Sequence, residues 1–533
     1  MTAGARARHA TPGHDALRGA RPRVVTGQGT GGARHPFPPL RRAVPHPAPV
    51  LYRRTLQVPV SAAELFAWHE RPGAFERLAP PWQRVEVVAS DGSVRDGARV
   101  TLRARVAPPG LAPLFPVVDP LVGLVVPERW EVVHRDYVAG RQFRDEIVRG
   151  PFARWSHLHE VEPAGDGASR LTDAVDFALP LGALGRAAGG RFALGEVDRV
   201  FRYRHAVTAA DLDRHAAARA RLRAAGRPET LTVAVTGASG LLGSALVPFL
   251  TTGGHSVVRV GRGAPRDHGT PQLRDVQWDP AAGRLDPAAL EGVDAVVHLA
   301  GANVGERWTP AYKEELVESR VRSTRLIAEA VARLERPPRV LVSMSGAGYY
   351  GDRGDEPLDE ASPPGRGFLA ELARRWEAAA DPARAAGVRV VHPRLGVVLT
   401  PKGGALPKLL LPFELAAGGP SGSGRQFWPL VALDDAVGAL HFMLTCDELA
   451  GPAVVSVPEP VRNAEFARAL GRVLRRPAVL PQPAFALRLA LGREQADEVL
   501  LASQRATPRA LLAAGFAFRH PTAEDALRFE LGR

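Results

Sequence analysis

An apolar, β-branched run, Leu231-Thr232-Val233-Ala234-Val235-Thr236, passes without a break into Gly237-Ala238-Ser239-Gly240-Leu241-Leu242-Gly243. A helical segment, Ser244-Ala245-Leu246-Val247-Pro248-Phe249-Leu250, follows at once. A continuous run of this kind suits a parallel strand buried on both faces. The spacing Gly-x-x-Gly-x-x-Gly between such a strand and a helix leaves few folds open. The first glycine permits a tight turn, the second lets backbone N–H groups approach a phosphate, and the third lets helix and strand pack closely. The helix N-terminus adds partial positive charge at the same spot.

This turn predicts a dinucleotide-binding Rossmann unit, a doubly wound parallel α/β sheet, over residues 230–460. Gly237, Ser239, Gly240, Leu241, Leu242 and Gly243 are the residues expected at the pyrophosphate. The second strand, Ser256-Val257-Val258-Arg259-Val260, ends in Gly261-Arg262-Gly263, with no acid to hold an adenosine ribose hydroxyl. An arginine there pairs instead with a 2′-phosphate, so Arg262 points to NADP(H) over NAD(H), unless it is a solvated loop cation. Further strands are expected at Val276-Gln277-Trp278, at Ala295-Val296-Val297-His298-Leu299-Ala300, at Val340-Leu341-Val342-Ser343-Met344-Ser345 and across 388–399. Leu299, Ala300 and Gly301 close the fourth strand with residues small enough to let a cofactor pass.

The chain has 533 residues, too many for one hydrophobic core. Residues 1–50, with eight Arg against the single acid Asp15, read as a disordered basic tail or a misassigned start, and supply +7 of the formal +13 charge. The remainder is only mildly basic and uses just three lysines, so no nucleic-acid partner is expected. A secretory leader is not legible, and the apolar stretch 111–127 is interrupted by Pro113, Pro116, Asp119 and Pro120, so no membrane partner is expected. The lone Cys446 fits a reducing, cytoplasmic setting and reads as a helix-end residue. His157 and His159 face one side of a strand, but no third ligand is evident beside them in the sequence, so no metal site is expected.

Residues 51–60 read as a strand, and Ser61-Ala62-Ala63-Glu64 reads as a capping box. Alternating runs at 84–89, 99–106, 129–134, 142–148, 156–162 and 170–177 predict an antiparallel sheet, closed by a helix over 194–224. Residues 216–229 read as the end of that helix and a short linker. One early helix, such a sheet and a closing helix describe an α+β helix-grip unit. The segments Phe66-Ala67-Trp68-His69-Glu70-Arg71-Pro72-Gly73-Ala74-Phe75, Leu78-Ala79-Pro80-Pro81-Trp82, Gly150-Pro151-Phe152-Ala153-Arg154-Trp155-Ser156-His157-Leu158-His159 and Phe201-Arg202-Tyr203-Arg204-His205 resemble the START-like (SRPBCC) superfamily. Over residues 51–215 this resemblance implies a pocket for an apolar or amphipathic small molecule, with Trp82, Trp130 and Trp155 as lining or simply as core.

The second half resembles the atypical, epimerase-like branch of the extended short-chain dehydrogenase/reductases. The resemblance rests on His298-Leu299-Ala300-Gly301-Ala302, Arg307-Trp308-Thr309, Glu318-Ser319-Arg320-Val321, Gly348-Tyr349-Tyr350-Gly351, Trp376-Glu377, Lys402-Gly403-Gly404-Ala405-Leu406 and the Gln504-Arg505 and Gly515-Phe516 segments. It implies a small helical C-terminal domain over 461–533. It also implies an NADP(H)-dependent oxidoreductase or epimerase-like enzyme acting on a small-molecule substrate. The superfamily's usual Tyr-x-x-x-Lys pair is replaced by Leu372 and Trp376, and the position of its usual Ser or Thr falls on Gly346, one step from Ser345. Ser345, Tyr349, Tyr350 and Glu377 are the substitute acid–base candidates, each with a structural alternative, while Gln426 and Asp435 are candidates for the substrate side. The same substitutions favour a rival, a catalytically silent NADP(H)-sensing protein.

Overall fold

The computed structural model describes residues 50–105 and 129–533. The expected tail and the apolar stretch 111–127 lie outside the described residues, apart from Val50.

Seven strands make one antiparallel sheet: β1 (Val50–Val58), β2 (Arg84–Ser90), β3 (Arg99–Arg105), β4 (Arg129–Val138), β5 (Gln142–Arg149), β6 (Arg154–Pro163) and β7 (Ser169–Ala178). Their order is β1-β7-β6-β5-β4-β3-β2, so the first strand closes onto the last. Each alternating run of the sequence is one of these strands, because one face packs on a core and the other faces solvent. Helix α1 (Ala62–Glu70) buries Leu65, Phe66 and Trp68 against that face. Ser61 caps it by accepting the Glu64 N–H, but the reciprocal half of the capping box is absent. Glu64 instead accepts from Arg71 and Arg219, stronger charged donors. A short helix, α2 (Ala74–Leu78), follows.

The closing helix, α3, runs from Gly182 to Ala224, twelve residues earlier than expected, since the glycine-rich start of this segment masks its helical period. Its end at Ala224 is where the sequence puts it, with residues 225–229 left as the short connection. Leu222 sits in the same core as Val233, Val235 and Phe249, so the helix carries the chain from one sheet into the other.

The second sheet is parallel, built on β8 (Thr232–Thr236), β9 (Ser256–Gly261), β10 (Leu273–Gln277), β11 (Ala295–His298), β12 (Val340–Ser343), β13 (Arg389–Leu395) and β14 (Gly451–Val455). Its order, β10-β9-β8-β11-β12-β13, with β14 paired to β13, reverses direction beside β8. Ligands bind outside the carboxyl ends of strands at such a reversal. Helices α4 (Gly243–Thr252), α5 (Pro310–Ala332), α6 (Phe368–Ala378) and α7 (Leu433–Thr445) flank the sheet. Strand β14 goes unread in the sequence because it opens on Gly451-Pro452.

The two sheets share a buried joint. Arg77 of α2 donates to Asp211 of α3 through Nε (2.8 Å) and Nη2 (2.6 Å), and to Asp434 of α7 at 2.7 Å. Arg214 donates to Asp434 at 2.6 Å and to Asp435 at 2.7 Å. Asp435 also accepts the backbone N–H groups of Arg519 and His520. It therefore neither closes a substrate site nor caps α7, whose cap residue is Ala432. Cys446 ends α7 as expected, buried, with burial pushing its thiol up. No helix of the described residues is long and apolar enough to cross a membrane.

Register corrects the expectation that His157 and His159 lack a third ligand. Asp145 of β5 stands opposite His157, and Asp173 of β7 stands opposite His159.

Candidate functional site

The first and third glycines of the turn leave no room for a side chain. Gly237 has φ of +66°, and a Cβ there would lie 2.9 Å from the Leu299 carbonyl carbon. At Gly243 a Cβ would stand 2.2 Å from the Gly237 oxygen and 2.6 Å from the Ala238 Cα. At Gly240 it would meet only the Gly237 oxygen, at 3.2 Å, and would otherwise point into open space. Ser239 and Gly240 are exposed, with Leu241 and Leu242 half-buried at the start of α4. Among the described residues no backbone acceptor takes the Leu241 or Leu242 N–H. A cradle of free N–H groups at a helix N-terminus fits a pyrophosphate.

The neighbouring strand end is fixed by one hydroxyl. Thr236 Oγ1 accepts the N–H groups of Leu299 (3.1 Å) and Ala300 (3.2 Å). Its own proton is left for His298 Nδ1 at 2.8 Å, and His298 Nε2 in turn faces Ser323 Oγ at 3.1 Å. Burial pushes the His298 imidazole down to about 3, so it serves as a neutral relay. Arg262 is exposed at the mouth of a 530 Å³ cleft that it shares with Gln277, Trp278 and Arg284. Asp279 in that cleft is already held by Arg284, and no acid stands at the end of β9.

A 380 Å³ pocket opens beside the turn, at the carboxyl ends of β11 and β12. Leu242 and Leu299 join it to the nucleotide cradle, and Ser345, Gly346 and Gly348 line its floor. Leu372 and Trp376 occupy the wall of α6 where the usual tyrosine and lysine would stand. The indole of Trp376 donates to Thr324 Oγ1 at 2.9 Å, so its one polar atom is spent.

Ser345 reaches the pocket with Glu377 behind it, the serine hydroxyl donating to Glu377 Oε1 at 2.7 Å. Glu377 takes both a 2.9 Å and a 3.0 Å bond from Arg394, whose guanidinium is thereby held well above its ordinary value. Both oxygens of Glu377 are committed, one to Ser345 and Arg394 and the other to Arg394, so it is not placed as the free base read from the sequence. Because Ser345 spends its proton on Glu377, its lone pairs are what it offers a substrate hydroxyl.

Tyr349 and Tyr350 do not line this pocket. They ride on a single 3-10 turn, Ala347–Tyr350, and both rings lie against the Arg394 guanidinium. Tyr350 is fully buried, donates to the Asp359 carbonyl at 2.9 Å and accepts from Arg394 at 3.2 Å. Burial pushes its phenol up to about 12. The Tyr349 ring lies 3.4 Å from the same guanidinium. Both are packing partners of Arg394 and neither is placed as a proton donor. Gln426 is likewise buried and donates to the Ser421 and Leu500 carbonyls.

Two pocket residues are missing from the sequence reading as site residues. Arg320 is 7% exposed, lies under Gly301, donates only to the carbonyls of Leu316 and Ala302, and has its guanidinium 5.1 Å from the Trp376 ring centre. Burial lowers it to about 10. Among the described residues no carboxylate pairs with it, so it presents a cation to the pocket. Glu498, from the C-terminal segment, accepts the Phe368 and Leu369 N–H groups at 2.8 Å each and caps α6 from outside. With Val499, Ala502 and Gln504 it forms the outer wall.

Trp82, Trp130 and Trp155 line none of these clefts. Trp82 packs edge-on to Tyr203, and Phe152 sits between Trp130 and Trp155. A larger cleft, 1030 Å³, lies between the sheets, walled by Phe75, Pro81, Val87 and Tyr203 on one side and Ser244, Gly403 and Glu530 on the other.

Residues 233–457 match the model of the NAD dependent epimerase/dehydratase family, and residues 482–530 match a domain of unknown function, DUF1731. An epimerase family protein of Mycobacterium bovis is 43% identical over 302 residues, 56% of this chain and 98% of that protein. The human epimerase family protein SDR39U1, crystallised with NADPH, is 34% identical over 56% of this chain and 99% of its own, with a TM-score of 0.50. The crystal structure of the nucleoside-diphosphate sugar epimerase from Corynebacterium glutamicum is 30% identical over 90% of each chain, with a TM-score of 0.70. A 90% share cannot be reached without the antiparallel sheet, so this likeness extends beyond the part that the shorter relatives cover. On its sequence, its sheet order and its glycine cradle, the chain belongs to the NAD-dependent epimerase/dehydratase family.

Proposed function

We propose that the chain binds NADP(H) at the Gly237–Gly243 turn and acts as an oxidoreductase or epimerase-like enzyme on a small organic molecule held in the adjoining pocket. The observation that carries this reading is the continuity of cradle and pocket through Leu242 and Leu299. A bound nicotinamide cofactor supplies a hydride acceptor or donor. The chain's own part is to hold the pyrophosphate on backbone N–H groups and a 2′-phosphate on Arg262, and to present Ser345 and Arg320 to the substrate. Arg320 stabilises negative charge that develops on a substrate oxygen, the electrostatic part of the task that a lysine on α6 would otherwise share. Ser345 accepts a hydrogen bond from the substrate and fixes its orientation.

The rival is a catalytically silent NADP(H)-sensing protein, favoured by the chemistry of Leu372 and Trp376, which carry no transferable proton. Nucleotide binding comes first for both. The expected result is that NADPH binds the purified chain more tightly than NADH and that Arg262→Asp narrows the difference about tenfold, roughly 1.4 kcal/mol. If neither nucleotide binds, both readings fall. For any substrate found, Ser345→Ala lowers turnover under the enzyme reading, with NADPH affinity unchanged.

We also assign residues 51–215 to the START-like superfamily, supported by the strand order, the paired early helices and the long closing helix. The cleft between the sheets is the place for its apolar or amphipathic ligand. Residues 230–460 and 461–533 are the nucleotide-binding and C-terminal domains of this division, in a cytoplasmic protein.

A further inference from the structure

We propose that the buried face of the antiparallel sheet carries a binding site for a divalent transition-metal ion, with His157 Nδ1, His159 Nε2 and Asp145 Oδ2 as its ligands.

Strand register builds the site. His134 of β4, Asp145 of β5 and His157 of β6 form one row of direct cross-strand neighbours, and His159 and Asp173 stand opposite each other in another. The three ligand atoms lie within 4.8 Å of one another. Asp145 Oδ2 is 3.3 Å from His159 Nε2 and 3.6 Å from His157 Nδ1. Those separations are long for hydrogen bonds between charged groups, which run about 2.7–2.9 Å. They match the edges of a tetrahedron of donors held about 2.0–2.2 Å from a central ion, roughly 3.3–3.6 Å.

The surroundings repeat the arrangement that orients histidine ligands, in which a carboxylate takes the ring nitrogen turned away from the metal. Asp173 Oδ1 is hydrogen-bonded to His157 Nε2 at 2.8 Å and lies 3.0 Å from His159 Nδ1. Asp173 is itself held by His205 of α3, 2.6 Å away.

His134, 7% exposed, brings its Nδ1 to 2.8 Å from Asp145 Oδ1, so the Asp145 oxygen not offered to the ion is held by a third histidine. Asp145 keeps 22% of its side chain accessible, which gives an ion a way in. Three protein ligands leave a fourth position for solvent or an exogenous ligand.

A second cluster, His215, His255 and His441, meets the same distance criterion but fails on chemistry. His255 Nδ1 accepts the Leu231 N–H, which leaves its proton on Nε2, the nitrogen that faces His441. No lone pair is offered there. The charges that act on that cluster are Arg71, Arg214, Arg219 and Arg221, which repel a cation. At the proposed site Arg204 is set against two carboxylates.

The test uses the full chain, stripped with a chelator and titrated with Zn²⁺ alone by calorimetry, with bound metal counted by mass spectrometry. The expected result is about one ion per chain at micromolar affinity or tighter. His159→Gln and Asp145→Asn weaken binding at least tenfold, Asp173→Asn weakens it about 10- to 100-fold, and His441→Gln leaves it unchanged. Co²⁺ loaded on the unaltered chain gives the visible absorption of a four-coordinate ion, which keeps the test open if a variant does not fold. The proposal is overturned if stoichiometric binding is absent at 100-fold excess Zn²⁺ over about 1 μM chain. It is equally overturned if His441→Gln alone abolishes binding, or if the Co²⁺ spectrum is that of the hydrated ion.

Discussion

Two alanine substitutions in the glycine turn separate packing from ligand clearance. In Gly243→Ala the new methyl would stand 2.2 Å from one backbone oxygen and 2.6 and 2.9 Å from two backbone carbons. Non-bonded carbon atoms rest about 3.5–4.0 Å apart, so the start of α4 must retreat by roughly 1 Å. It cannot do so freely, because Leu246, Phe249 and Leu250 of that helix are fully buried. Overpacking of this kind costs about 1–3 kcal/mol. For a domain of this size that lowers Tm by roughly 2–12 °C. In Gly240→Ala the methyl meets a single oxygen at 3.2 Å, which a shift of a few tenths of an ångström relieves. The apo protein should unfold within about 1 °C of the parent. The methyl nevertheless fills the space into which a pyrophosphate must descend, and NADPH affinity should fall at least tenfold, about 1.4 kcal/mol. Scanning calorimetry without nucleotide and titration calorimetry with NADPH read the two effects apart. Unchanged NADPH affinity in Gly240→Ala would refute the placement of the phosphates, and an unchanged Tm in Gly243→Ala would refute the steric argument.

Three further perturbations test the surrounding frame. Burial pushes Glu530 up to about 8 from an ordinary 4.5, so the folded chain keeps a proton there that the unfolded chain has lost, and stability falls as pH rises from about 4.5 to 8. Glu530→Gln, an isostere of the neutral acid, should therefore raise Tm over the parent at pH 8.5 by more than at pH 5.5; an equal difference at both pH values counts against it. Arg77→Leu strips Asp211, fully buried, of the one guanidinium that donates to it among the described residues and should cost about 3–5 kcal/mol, seen as a lower urea midpoint. Glu498→Ala removes the remote cap of α6 and should cost about 0.5–2 kcal/mol, with faster amide exchange confined to the first turn after Gly367.

What the sequence disclosed follows from how local each cause is. The turn at Gly237–Gly243 and the strands on either side are written in consecutive residues, and so is the alternation of the antiparallel strands. Tyr350 shows where this stops. It follows a strand's carboxyl end, as a site residue should, but one 3-10 turn sends its hydroxyl to the Asp359 carbonyl and its ring into the core. Sequence distance from a strand end carries no direction. Arg320 and Glu498 carry no local signal, because one depends on having no carboxylate beside it among the described residues and the other on a helix 130 residues away. Asp145 lies twelve residues before His157, and only the pairing of β5 with β6 makes them neighbours.

Helix α4 ties these sites together. Its first turn follows the glycine turn, while Ser244, Ala245 and Pro248 form part of the cleft between the sheets. A Cβ on Gly73, in the antiparallel part, would lie 2.6 Å from the Pro248 Cα, and Thr251 of the same helix bonds the Pro72 carbonyl. The helix therefore cannot shift without moving either the glycine turn or the Pro72–Gly73 corner. Coupling between two ligands requires an element on which both act. An occupant of the cleft would touch the side of the rod whose end would hold the cofactor, so any difference it made to NADPH affinity must be returned, factor for factor, in its own.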